Sequence, residues 1–261
     1  GTFSATPAVG LVFKNVNTGV VDLNASTPGN YTIKNIIPSS GGCSADTSAL
    51  IPITITAAPI LNATSFTPSV CSPGSPNVTL MNGSSYTWTV TSPAKITGAA
   101  PGNGSVINQN LTTTDSVPGI VHYIVTPTDG VGCVGKTDTV DVTVNPVPDA
   151  WATPVTPSVC SGLKTNIKLF SSIPAATFTW IVKSSTDASG ATPSGVTPAA
   201  VIEQTLTATT SSPGSVVYTI TPKSFGCDGT PIDVSVAVNP NPTTVITIAS
   251  GGDTICSGEM S

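Results

Sequence analysis

The chain has no arginine, a single histidine, His122, and only two glutamates, Glu203 and Glu259. Charged residues make up 8% of its 261 residues and aromatic residues 5%. Eight lysines against thirteen acidic residues leave a net charge of −5. Such a surface cannot neutralise a row of phosphates, which argues against nucleic acid as a partner. It also lacks the basic cluster that would hold it to an anionic lipid surface. No apolar run reaches the length of a membrane span. The opening residues GTFSATPAVG show no basic segment followed by an apolar stretch, so no signal peptide is expected there. Helices are not expected either, because every stretch of a dozen residues is interrupted by Pro, Gly or a Thr/Ser cluster.

What the chain does have is 24 glycines, 24 prolines, abundant Thr and Ser, and 39% hydrophobic residues. The apolar residues alternate with polar ones, the sign of half-buried strands rather than of disorder. YTWTV puts Tyr86, Trp88 and Val90 on one face, and FTWIV does the same with Phe178, Trp180 and Val182. VHYIV aligns Val121, Tyr123 and Val125, and TVDVTV aligns Val140, Val142 and Val144. Branched Val, Ile and Thr suit a pleated surface.

The hexapeptide TPSVCS occurs at residues 67–72 and again at 156–161. Around it runs a full repeat. Cys71 maps to Cys160, Trp88 to Trp180, Tyr123 to Tyr218, Cys133 to Cys227 and Pro146 to Pro240. Residues 60–148 and 149–242 are therefore two copies of one module of about 90 residues. Seven short strands fit that length, which suggests an immunoglobulin-like sandwich. Residues 1–59, with YTIKNI, GGC and IPITITAAP, match the second half of a module, and 243–261 match the opening strand of another. The expected fold is all-β, with tandem immunoglobulin-like modules in a linear array cut from a longer one. Proline in the joints NPVP and NPNP keeps them extended and semi-rigid.

Two pairings of the six cysteines follow the repeat. Bridges within modules would join Cys71 to Cys133 and Cys160 to Cys227; bridges across junctions would join Cys43 to Cys71, Cys133 to Cys160 and Cys227 to Cys256. In a sandwich the first strand starts at the same pole as the turn between the last two strands, and the last strand then runs away from that pole. Residues 138–145 span roughly 26 Å when extended, whereas bridged Cα atoms lie about 4.4–6.8 Å apart. The internal pairing is therefore expected, with Cys43 and Cys256 bonded elsewhere. A bridge of that kind contributes about 4 kcal/mol in the chain-entropy model and needs an oxidising compartment. Reduced, buried thiols are the plainer alternative. Zinc is disfavoured, since no cysteine has a second cysteine or a histidine at ligand spacing.

These phrases, TPSVCS and ICSGE, then a TWTV strand, a YTITP strand, a GC turn and a VNP-x-P exit, resemble PKD-like, immunoglobulin-like repeats of very large secreted Bacteroidota proteins, including gliding-motility adhesins. Residues 1–59 resemble a sister repeat type of the same proteins. The resemblance implies an outer-membrane surface location, export by the type 9 secretion system, and a role in adhesion or gliding. Neighbouring modules, surface polysaccharide and outer-membrane proteins are the partners it suggests.

Candidate chemistry is sparse. His122 alternates out of phase with Tyr123, and the second copy has Val217 there, so no general base is expected. No G-x-S-x-G turn occurs, and catalysis is not expected. Asp129, Asp138 and Asp141, with Asp228 and Asp233 in the second copy, are weak calcium candidates, though no D-x-D-x-D-G loop exists. Solvated turn aspartates are the plainer reading, and no other cofactor is implied. Trp88, Trp180, Tyr123 and Tyr218 are expected in the cores. Trp151, in the linker between copies, is expected to plug a junction or to offer its face to a ligand. DSV, DTV and DTI place possible O-glycosylation at Ser116, Thr139 and Thr254. The N-x-S/T matches at Asn77 and Asn110 mean less if, as the resemblance implies, the source is bacterial.

Overall fold

A computed structural model of the chain describes residues 1–48, 50–195 and 199–244. Every regular element among them is a β-strand. Contacts divide the chain into two units: residues 1–113 with 119–144, and 114–118 with 145–261.

The first unit opens on a four-stranded sheet. Gly29–Ile37 is flanked by Thr2–Thr6 on one side and by Asp46–Thr47 and Ile51–Ile55 on the other. The Thr2–Thr6 strand was not assigned from the sequence. Tyr31 and Leu11 are its buried anchors. Next come the strands of the first full module. One sheet runs in the order Gly102–Asn103, Ser85–Thr91, Gly119–Thr128, Asp138–Asn145, Ser69–Cys71; another pairs Val78–Met81 with Asn62–Ala63 and Val106–Ile107. The alternation read from the sequence decides which faces are covered. Tyr123, Val121, Val125, Val140, Val142 and Val144 are fully buried, while the residues between them along each strand are half-buried or exposed. Burying each such side chain contributes about 1.5–3 kcal/mol.

The second unit contains the repeat of this plan. Ser158–Cys160, Ile232–Asn239, Gly214–Ser224 and Thr177–Thr186 form one sheet, and Trp151–Thr153, Ile167–Phe170 and Val201–Ile202 another. Its core holds Tyr218, Ile220, Val216, Val236 and Val238, all fully buried. Val90 faces Tyr123 in the first copy, and Val182 faces Tyr218 in the second. Trp88 and Trp180, at 6% and 8% exposure, sit in the cores with these tyrosines. The fold is tandem immunoglobulin-like β-sandwich modules.

Ser158–Cys160 pairs in parallel with the last strand, with Cys160 opposite Asn239. This register decides where the cysteines lie.

Candidate functional site

Each module has a polar hub at the margin of its core that the sequence reading missed. The Tyr123 hydroxyl donates to Gln109 Oε1 at 3.0 Å. Gln109 Oε1 also accepts from Ala100 N, and its Nε2 donates to Ala100 O, both at 2.9 Å. Trp88 Nε1 donates to the same carbonyl at 3.2 Å. The second module rebuilds this with Tyr218, Gln204, Thr192 and Trp180. Tyr218 donates to Gln204 Oε1 at 2.8 Å, Gln204 Nε2 to Thr192 O at 2.6 Å, and Trp180 Nε1 to that carbonyl at 3.2 Å. Burial pushes both tyrosine hydroxyls up to about 12. The hub satisfies the polar ends of two large core aromatics, as buried polar groups require. Its sequence signal is the pair INQNLT at 107–112 and IEQTLT at 202–207.

The cysteine turns form the second constellation. In the first module Asp129 Oδ1 accepts from Val131 N at 3.0 Å and Cys133 N at 2.7 Å. Desolvation, with Asp129 beside it, raises the Cys133 thiol above its ordinary value. A Cβ on Gly135 would stand 2.0 Å from the carbonyl oxygen of Pro59 in the incoming linker. The second module repeats this contact: a Cβ on Gly229 would stand 1.8 Å from Pro148 O. Asn145 Nδ2 donates to Phe225 O in the same turn at 3.0 Å. In both modules the cysteine turn therefore clasps the entering linker, and only glycine permits so close an approach.

The internal bridges expected from the sequence are not formed. Cys43, Cys133 and Cys160 are free thiols, and Cys71 and Cys227 are disulfide-bonded. The cysteine strand does run the way the sequence reading assumed, but the cysteine stands at its far end. In the first module Phe66 O and Pro68 O take the bonds from Asp141 N and Thr143 N, so Cys71 comes after both. In the second, Cys160 reaches Asn239, the last residue of its neighbour, whereas Cys227 precedes Ile232, the first. An eight-residue strand, roughly 26 Å long, separates the two.

The carboxylates named as calcium candidates are engaged locally. Asp141 meets His122 Nδ1 at 2.7 Å across the strands, on the solvent face. Asp233 is held below the usual carboxylate range by Lys183 and by the Thr219 hydroxyl. Asp228 pairs with Lys223 at 3.1 Å, and Asp138 accepts from Thr139 N. Among the described residues no group of three His, Cys, Asp or Glu side chains is placed to hold a metal ion. Ser116 and Thr139 are half-buried, and Thr254, like Cys256, lies outside the described residues.

Trp151 stacks on Phe170 of its own module, with ring centroids 6.0 Å apart and 18° between planes. The two are cross-strand partners and stay 46% and 41% exposed. Beside them Asp149 accepts from Ser172 N and from the Ser171 and Ser172 hydroxyls. Burial alone would raise its carboxyl, but these bonds outweigh it and hold it low.

A family model of the PKD-like domain matches residues 70–148 and again 157–242, more than half of the chain. The chain belongs to the PKD-like domain family. A comparison with curated proteins finds no match. Among solved structures it is similar to the extracellular cadherin domains 3–6 of protocadherin gamma B2, at 12% identity and a TM-score of 0.40, covering 92% of this chain and 67% of that one. It spans 45% of the protocadherin gamma B4 extracellular domain, covering 91% of this chain at 12% identity and a TM-score of 0.39. Titin domains I67–I69 match at 10% identity and a TM-score of 0.39, covering 93% of this chain and 83% of that one. No described helix is long and apolar enough to cross a membrane.

Proposed function

We propose that these PKD-like modules are non-catalytic spacers of a large secreted, cell-surface adhesin. The observation that carries this reading is the repetition itself. Core hub, glycine clasp and strand order are rebuilt in both copies, while neither His122 nor the named aspartates recur as a shared cluster. What recurs is what makes a module fold and join, as a spacer needs. Bonded cysteines fit an oxidising, extracytoplasmic site. The module boundaries we assign are 1–59, 60–148, 149–242 and 243–261. Export by the type 9 secretion system and work in gliding or surface attachment of a Bacteroidota cell extend this reading, and rest on the resemblance of the repeat phrases. Pulling on the chain tests it. With the disulfide reduced, two alike unfolding steps, each releasing roughly 30 nm for about 90 residues, support load-bearing modules; unfolding without resolved steps opposes them.

A second reading is favoured by the Trp151–Phe170 ledge. Exposed stacked rings beside polar side chains suit the apolar face of a sugar. Micromolar binding on a glycan array, lost in Trp151→Ala, would make the second module a polysaccharide binder rather than a pure spacer.

A further inference from the structure

The first unit contains an open groove of about 680 Å³. Its walls include Leu23, Pro28, Ile55, Ala58 and the free thiol-bearing residue Cys133. Ile51–Ile55 pairs with Gly29–Ile37 on one edge, and no strand among the described residues pairs with its other edge. In the second module the equivalent edge is occupied: Ser158–Cys160 lies parallel to Ile232–Asn239, with Ala237 N donating to Pro157 O and Ser161 N to Asn239 O. The two last strands can be aligned by their tyrosines, because Tyr31 faces Ile53 as Tyr218 faces Val234. Counting on from there sets Ala58 at the place of Asn239, the residue opposite Cys160. A cysteine docked like Cys160 would thus enter the groove that Cys133 lines.

We propose that this groove is the seat of a Ser-Val-Cys strand, which adds in parallel to the open edge of Ile51–Ile55 and bonds its cysteine to Cys133. The occupant is a strand of the type this chain carries at Ser69–Cys71 and Ser158–Cys160. Backbone bonds along the edge provide the affinity, as in other strand additions. The disulfide then locks it. Two thiols each lose a proton and an electron, an S–S bond forms, and a small-molecule or protein disulfide takes both electrons and both protons to become two thiols. Among the described residues the bonded cysteines are one of each kind, strand Cys71 and turn Cys227.

The test incubates the full chain with acetyl-TPSVCS-amide and oxidised glutathione, then maps the linked peptides without reduction. Cys43 and Cys160 are exposed, whereas Cys133 is half-buried and its thiol pKa is raised, so intrinsic reactivity favours the other two. The proposal expects TPSVCS to cross-link to Cys133 at least about tenfold over Cys43 and Cys160. A TPSPCS peptide, whose proline cannot donate to the edge, loses that preference, and so does Ile55→Arg, which fills the groove. Equal labelling of the three thiols, or equal capture of TPSPCS at Cys133, overturns it.

Discussion

The Tyr218–Gln204 hydrogen bond sits inside a module whose aromatic content is small, so its removal has a measurable and decomposable cost. Tyr218→Phe deletes a fully buried hydroxyl whose bond is 2.8 Å long. A bond of this kind contributes about 1 kcal/mol net. Gln204→Leu does more harm. It strands the buried Tyr218 hydroxyl, which costs about 1–3 kcal/mol, and removes the bonds of Gln204 to the exposed Thr192 N and Thr192 O, the latter keeping its bond from Trp180 Nε1. We expect about 3 kcal/mol for that single change. The double variant no longer has a stranded hydroxyl, so it falls short of the sum of the singles by about 1 kcal/mol. For a module of this size each kcal/mol moves Tm by roughly 4–8 °C. Urea unfolding with an unchanged slope, followed by calorimetry, reads the cycle. Tyr123→Phe and Gln109→Leu repeat it in the first module, where the bond is 3.0 Å. Additivity within about 0.3 kcal/mol in both modules would refute the idea that the hub acts as a unit.

Alkylation without reductant labels Cys43, Cys133 and Cys160, and labels Cys71 and Cys227 only after reduction; label on Cys71 beforehand would show the bond absent. Alkaline stability tests the tyrosines. Their hydroxyls ionise near 10 when unfolded and at about 12 when folded. Their contribution is therefore intact below pH 10 and falls from pH 10 to 12 by about 1.4 kcal/mol per pH unit per tyrosine; an unchanged urea midpoint across that range contradicts this. Gly229→Ala drives a methyl into Pro148 O and costs about 1–3 kcal/mol. Gly162→Ala, at φ +86° with open space, pays strain alone, about 1–2 kcal/mol; equal Tm losses would mean that the linker yields.

The sandwich was legible because its evidence is local. Tyr86/Trp88/Val90 and Val140/Val142/Val144 alternate within single strands, and the repeat of TPSVCS makes each copy a check on the other. The hub was harder. A lone glutamine among Asn, Thr and Leu has no periodicity, and Gln109 shows its role only when INQNLT is laid over IEQTLT. The cysteines were misassigned because spacing fixes strand direction but not how many residues precede the cysteine along the edge. Phe66 and Pro68 occupy the stretch nearest the turn, so Cys71 stands a strand's length from where the internal bridge needed it. Neither the within-module pairing nor the pairing of sequence neighbours leaves Cys133 and Cys160 free while Cys71 and Cys227 are bonded.

The outward strand faces are dressed in threonine and serine hydroxyls instead of ions. The pairs Lys183–Asp233 and Lys223–Asp228 are solvent-exposed and contribute little, and the Tyr–Gln–Trp hub is uncharged. Moderate electrolyte acts by screening Coulomb forces, and this molecule scarcely relies on them. Such a coat leaves ionic strength, as distinct from the solvation of apolar groups, little to act on.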